Sequence, residues 1–166
     1  MLSTKIKNYF FLLPYCVELF YDLLICKILI VFFPFRFYAK TFGTAHYETF
    51  FFEPHYAKKM LSSIKIVSRK IPPFLPWKSK CLDQAMAAQR MLKRRGLATT
   101  LYFGFTKNKN TGTINAHAWV RSGSFWITGY QPGTQFTTVG IYSTDSDNAK
   151  CPDFVTQFRK NSHRIA

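Results

Sequence analysis

The sequence predicts an α+β fold in which a helix bearing a cysteine packs on an antiparallel sheet, preceded by a helical N-terminal region. Three observations predict it. Residues 80–95 are rich in strong helix formers (Leu82, Gln84, Ala85, Met86, Ala87, Ala88, Gln89, Met91 and Leu92) and stop at Gly96. From Thr99 to Tyr142, short β-rich runs alternate with polar turns. Ahead of both lies a greasy front third, with 17 of the 30 aromatic residues between Tyr9 and Tyr56.

The elements follow in order. Residues from about 9 to 32 have helical character, and Pro14 predicts a break or kink that makes two amphipathic pieces. Pro34 ends them. Phe35 to Phe42 reads as a short helix stopped by Gly43. Glu53 to Lys70 reads as another, with Pro54 at its start and Tyr56, Met60, Ile64 and Val67 on one face. The run Ile71-Pro72-Pro73-Phe74-Leu75-Pro76 predicts an extended connector, because prolines exclude both ladders. It divides the chain into a helical region, 1–75, and a catalytic core, 76–166, with a polar tail. Ser79 is positioned to cap the next helix. Asp83 in its first turn and Lys93, Arg94 and Arg95 in its last suit the macrodipole. Strands are then expected at 99–106, 114–121, 125–128 and 136–142. The turns between them are at 107–112, Ser122-Gly123-Ser124 and Gln131-Pro132-Gly133.

Composition bounds the function. A chain of 166 residues is enough for one core and hardly for two. The net charge of +15 points to an anionic partner or to solubility alone. The cations are spread, 10 in residues 1–75 and 13 in 76–166, and no nucleic-acid motif accompanies them, which argues against nucleic acid. Four cysteines (Cys16, Cys26, Cys81 and Cys151) form no C-x-x-C pair, which argues against a structural metal and against a secreted disulfide framework. A reducing cytoplasm fits this pattern. The lysine-flanked apolar start lacks a cleavage site, and Glu18 and Asp22 interrupt it. The second apolar stretch contains Lys27 and is too short to span a bilayer. A packed helix is expected there, with contact to a membrane surface as the other reading.

Two residues carry the chemistry. Cys81 falls in the first turn of the best helix, where the positive helix end favours an anion and unpaired N–H groups can receive an oxyanion. Alone it reads more readily as a buried structural cysteine, since free cysteine is among the most buried residue types. His117, in Ala116-His117-Ala118-Trp119-Val120, lies mid-strand between two small residues that leave room for a ring and a substrate. A cysteine at a helix start followed by a strand histidine is the layout of a thiolate–imidazole pair. Trp77 and Trp119 are candidates to floor a substrate cleft, and Trp126 reads as packing. His46, His55 and His163 have no companions of this kind.

The residues Trp77, Cys81-Leu82, Gln84-Ala85, Met91 to Gly96, Leu101 to Phe105 and Ala116 to Val120 together resemble the transglutaminase-like domain of lasso-peptide B2 proteins. In the front half, Pro34-Phe35-Arg36, a basic helix and the proline-rich lead into Trp77 resemble that family too. The likeness runs over residues 15 to 142. It implies a papain-like, transglutaminase-like core and a leader peptidase that trims a ribosomally made precursor peptide. A small separate leader-binding protein presents the substrate, and an asparagine-synthetase-like cyclase closes the ring. No cofactor is assigned to this chain, and a dependence on ATP would enter through the partner cyclase.

One departure stands out. The family often carries an Asp or Glu about a dozen residues beyond the histidine, whereas no acidic residue occurs from Gln84 to Thr144. Thr128 is the favoured third member, its hydroxyl accepting the Nδ1 proton of His117. A backbone carbonyl, Asp145 or Asp147 are the alternatives. Two other functions compete with peptidase action: acyl transfer to an amine on the same fold, and a non-catalytic basic binding module.

Overall fold

The computed structural model describes residues 2–49, 55–107, 112–131 and 134–144. Expectations placed on Glu53, Pro54, Asp145, Asp147, Cys151 and His163, and on the tips of two turns, lie outside those residues. Helix α1 spans Leu2–Phe32 and α2 spans Phe35–Ala39, continuing as one 3-10 turn over Lys40–Phe42. A two-residue strand β1 (Thr44–Ala45) follows, then α3 (Ala57–Lys70) and α4 (Cys81–Lys93). Strands β2 (Thr100–Lys107), β3 (Ile114–Ser122), β4 (Phe125–Thr128) and β5 (Thr137–Ser143) complete the fold.

Helix α4 and strands β2 to β5 follow the sequence to within a residue or two, whereas α1 and the proline-rich stretch do not. Pro14 does not split α1, which runs through it as a single helix of 31 residues. A proline removes one backbone donor, and a helix held by neighbours on both sides of that point survives the loss. The proline-rich stretch is not fully extended either. Pro72–Phe74 makes a 3-10 turn, with the Leu75 N–H bonded to the Pro72 carbonyl. Proline suits the first positions of such a turn because no donor is required there.

The sheet has the order β1-β5-β2-β3-β4, with every pair antiparallel. The long central pair is β2 and β3, in which Gly104 faces His117 and Phe103 faces Ala118. Alternation along β3 sends Ala118 and Val120 into a core shared with Leu101 of β2 and Ile127 of β4. Helix α4 fills that core with Ala85, Ala88, Met91 and Leu92, all fully buried. Leu19, Leu23 and Cys26 of α1 and Leu61, Ile64 and Val67 of α3 close over it. The buried face of α3 thus starts at Ala57, and Tyr56 is exposed. Strand β1, from the front of the chain, pairs with β5, so the front segment also contributes to the sheet.

Polar contacts fix α1 against α4. Asp22, with no exposure, accepts from Arg90 Nε at 2.9 Å and also from Arg94. Glu18 accepts from Arg94 at 2.7 Å and from Arg95 at 2.5 Å. Burial raises the Glu18 carboxyl, but hydrogen bonds from Arg95 and Arg94, with their charges, outweigh it and hold the group below its ordinary range. The acidic residues that interrupt the apolar run of α1 are therefore its attachment to the cysteine helix. Lys27 adds a bond to the Lys78 carbonyl at 3.2 Å, just ahead of that helix.

Candidate active site

Cys81 is the first residue of α4 and is partly buried against the core. The cap is not the expected Ser79. Lys80 holds the extended cap position, and its N–H donates to the carboxylate of Asp83 at 2.6 Å, one turn into the helix. Asp83 is buried, with 1% exposure, and its second carboxylate oxygen has no partner among the described residues. Gln84 is the first residue whose N–H bonds back along the helix, to the Lys80 carbonyl. The N–H groups of Cys81 to Asp83 therefore precede the ladder, where a helix start can receive negative charge.

Strand β3 carries His117 on the rail opposite Ala118 and Val120. Its ring stacks on Phe136 at 5.1 Å between centroids and lies over Trp119 at 6.0 Å. The ring Nε2 stands 2.5 Å from the carbonyl oxygen of Gly129. A carbonyl only accepts, so Nε2 is the donor in this contact, which leaves Nδ1 as the ring nitrogen free to face a partner. Gly129 has φ +80°, and a Cβ there would lie 2.4 Å from the Ala118 carbonyl oxygen, so the position requires glycine. Gly104, opposite His117, is also obligatory, since a Cβ would meet the Trp119 ring at 2.7 Å.

The expected third member, Thr128, does not orient the histidine in this geometry. Among the described residues its buried Oγ1 has no hydrogen-bond partner, and the imidazole contact belongs to the next residue's backbone, through Nε2 rather than Nδ1. A carbonyl has no side-chain signature, so only the glycine itself, twelve residues after the histidine, marked the place.

His117 opens onto a cavity of about 530 Å³ bounded by Lys65, Arg69, Gln84, Trp126 and Thr128 among others. Gln84 sits one turn along α4 from Cys81, and through it the cysteine helix reaches the cavity that holds the imidazole. Among the described residues no hydrogen bond joins Cys81 to His117, and catalytic contacts of this kind commonly tighten only around substrate. Of the two tryptophans expected to floor the cleft, Trp77 packs on Phe20 of α1 at 5.5 Å. Trp119 stacks on Tyr102 with planes 8° apart and borders a smaller cavity with Tyr130 and Phe136. Trp126, read as packing from the sequence, is the one that lines the larger cavity, stacked on Tyr130 at 4.4 Å. Cys26 is buried, and burial pushes its thiol up to about 12. Among the described residues no cluster of His, Cys, Asp and Glu is placed to hold a metal.

A profile of the transglutaminase-like superfamily matches residues 30–140, two thirds of the chain and every residue of this site. The chain belongs to the transglutaminase-like superfamily. No curated protein and no solved structure matches it. The transglutaminase-like match begins in α1, ahead of the proline-rich stretch. The α+β core, the helix-start cysteine and the strand histidine are thus read within one domain of cysteine-peptidase or acyltransferase type.

Proposed function

We propose that this protein is a cysteine peptidase that removes the leader from a ribosomally synthesised precursor peptide during lasso-peptide maturation. The observation that supports it most is a cysteine at the first position of α4 together with an imidazole on β3. That imidazole's Nε2 proton is committed to the Gly129 carbonyl. Nδ1 is then the base. It takes the thiol proton of Cys81 as sulfur attacks the scissile carbonyl carbon, and the Cys81 N–H holds the resulting oxyanion. His117 returns the proton to the leaving amine, the C–N bond breaks, and a thioester remains. Water, deprotonated by His117, attacks the thioester and releases the acid and the thiol.

The resemblance to lasso-peptide B2 proteins supports the finer reading. The precursor is presented by a small leader-binding protein and passed to an asparagine-synthetase-like cyclase, in the cytoplasm. No helix among the described residues is long and apolar enough to cross a membrane. The exposed Leu13, Val17, Leu24, Ile28 and Val31 of α1 offer a face for peripheral contact with one. Incubating precursor, leader-binding protein and this chain should release the leader, seen by mass spectrometry. Cleavage that persists in Cys81→Ala would overturn the reading. An adduct with added amine in place of the free acid would move it to acyl transfer.

A further inference from the structure

The cavity beside His117 is also lined by residues that take no part in the chemistry described above. There α3 contributes Lys65, Ser68 and Arg69, and β4 contributes Thr128. Lys65 and Arg69 are one helical turn apart, so their cations project side by side along one wall. Neither is in an ion pair among the described residues. Ser68 is 3% exposed and Thr128 9%, yet the Oγ of one and the Oγ1 of the other lack a hydrogen-bond partner among the described residues. Burying a hydroxyl without a partner is costly, and native cores rarely tolerate it without a reason. Two such hydroxyls and two cations, on residues that line one cavity, make a set rich in donors. The ligand chemistry that completes the set is an oxyanion of low charge, of which a carboxylate is the peptide's own example. The stacked Trp126 and Tyr130 add an aromatic wall along which the body of a peptide can lie.

We propose that this cavity is a subsite for a carboxylate of the peptide substrate, received by Lys65, Arg69 and the Ser68 and Thr128 hydroxyls. This inference rests on the peptidase reading, since it is the substrate's reacting bond that brings the peptide to His117. The carboxylate comes either from an acidic side chain near the scissile bond or from the substrate's C-terminus.

The full-length Cys81→Ala protein separates binding from turnover. It is titrated with three pentapeptides, followed by tryptophan fluorescence and calorimetry: Ac-Ala-Ala-Glu-Ala-Ala-amide, its Gln counterpart, and acetylated penta-alanine with a free C-terminus. Either the Glu peptide or the free-carboxylate peptide is expected to bind about tenfold or more tightly than the Gln peptide, and which one does so names the source. Lys65→Gln/Arg69→Gln, at exposed positions that leave the core intact, should abolish that preference, and Ser68→Ala should reduce it. Lys58→Gln/Lys93→Gln, which removes the same charge outside the cavity, should preserve it. Equal affinity for all three peptides would overturn the subsite. So would a preference lost equally in the Lys58/Lys93 control, since net charge alone then explains it. A preference with no precursor cleavage by the wild-type protein would defeat the peptidase reading alone. Cleavage with no preference would defeat this inference alone.

Discussion

The imidazole of His117 donates from Nε2 to the backbone carbonyl of Gly129, across 2.5 Å. A carbonyl in that place does two of the three things a carboxylate would do: it selects the tautomer and fixes the ring plane. It supplies no full charge to stabilise the imidazolium. The residue that provides it is held at φ +80° against the Ala118 carbonyl.

Gly129→Ala should therefore act on the histidine. The new Cβ has no room, so the turn must move and carry the carbonyl with it. A displacement of about 1 Å at a catalytic group costs on the order of a hundredfold in rate. Thr128→Val is the contrast. Its hydroxyl makes no bond to the ring, so kcat and its pH profile should stay near wild type, and the cost should fall on KM through the cavity wall. Steady-state kinetics on the precursor checks both. Collapse of kcat in Thr128→Val would restore the hydroxyl as the orienting group.

Thiol chemistry should single out Cys81. In a Cys16→Ser/Cys151→Ser background, iodoacetamide should modify one cysteine in the native protein, with activity lost in step. Cys26 is buried, with its thiol pushed up to about 12, so it should react only after unfolding. Peptide mapping by mass spectrometry locates the label. Early label on Cys26 would mean that α1 leaves the core readily.

Much of this was legible in the sequence because it rests on patterns local to one element. The helix of Cys81 advertises itself by helix formers bounded by Gly96, and the strands by β-rich runs between turn residues. The superfamily was legible from motifs read together in order. What was not legible depends on neighbours distant in the chain. Glu18 and Asp22 look like flaws in an apolar helix until Arg90, Arg94 and Arg95 are folded beside them. Pro14 looks like a break, because local propensity knows nothing of the packing that carries a helix through it. The cap on Cys81's helix fell to Asp83 rather than Ser79, since both can reach a free donor and only the fold decides between them.

Acid should loosen α1 from α4. Glu18 is held below its ordinary value of 4.5 by Arg95 and Arg94, so its contribution is fully present above that value. As pH falls below it, the unfolded chain takes up the proton first, and stability declines until the folded carboxyl is also protonated. Glu18→Gln should flatten this part of the stability curve while changing little at pH 7, where the pair is partly solvated. Urea denaturation between pH 3 and 7 tests it. A curve for Glu18→Gln parallel to wild type throughout would show that the pair contributes nothing to acid lability.

Arg121 carries a guanidinium that is fully buried. Its guanidinium donates to the carbonyls of Gly123 and Thr49 at 2.7 Å each, to the Tyr102 hydroxyl at 3.1 Å, and pairs with Glu48 at 3.3 Å. One planar fork therefore ties the β3–β4 turn to residues 48 and 49, and supports the Tyr102 ring on which Trp119 stacks beside His117. Lysine keeps the charge but lacks the fork, and it cannot meet these acceptors together. Arg121→Lys should cost about 3 kcal/mol, because a buried cation and several buried acceptors lose their partners at once. Hydrogen exchange should then rise first at Thr49 and along the Phe125–Thr128 strand, and peptidase activity should fall through the loosened Trp119 and Gly129 supports. Unchanged stability in Arg121→Lys, by thermal and urea denaturation, would mean that the fork is replaceable and that the Tyr102–Trp119 stack stands without it.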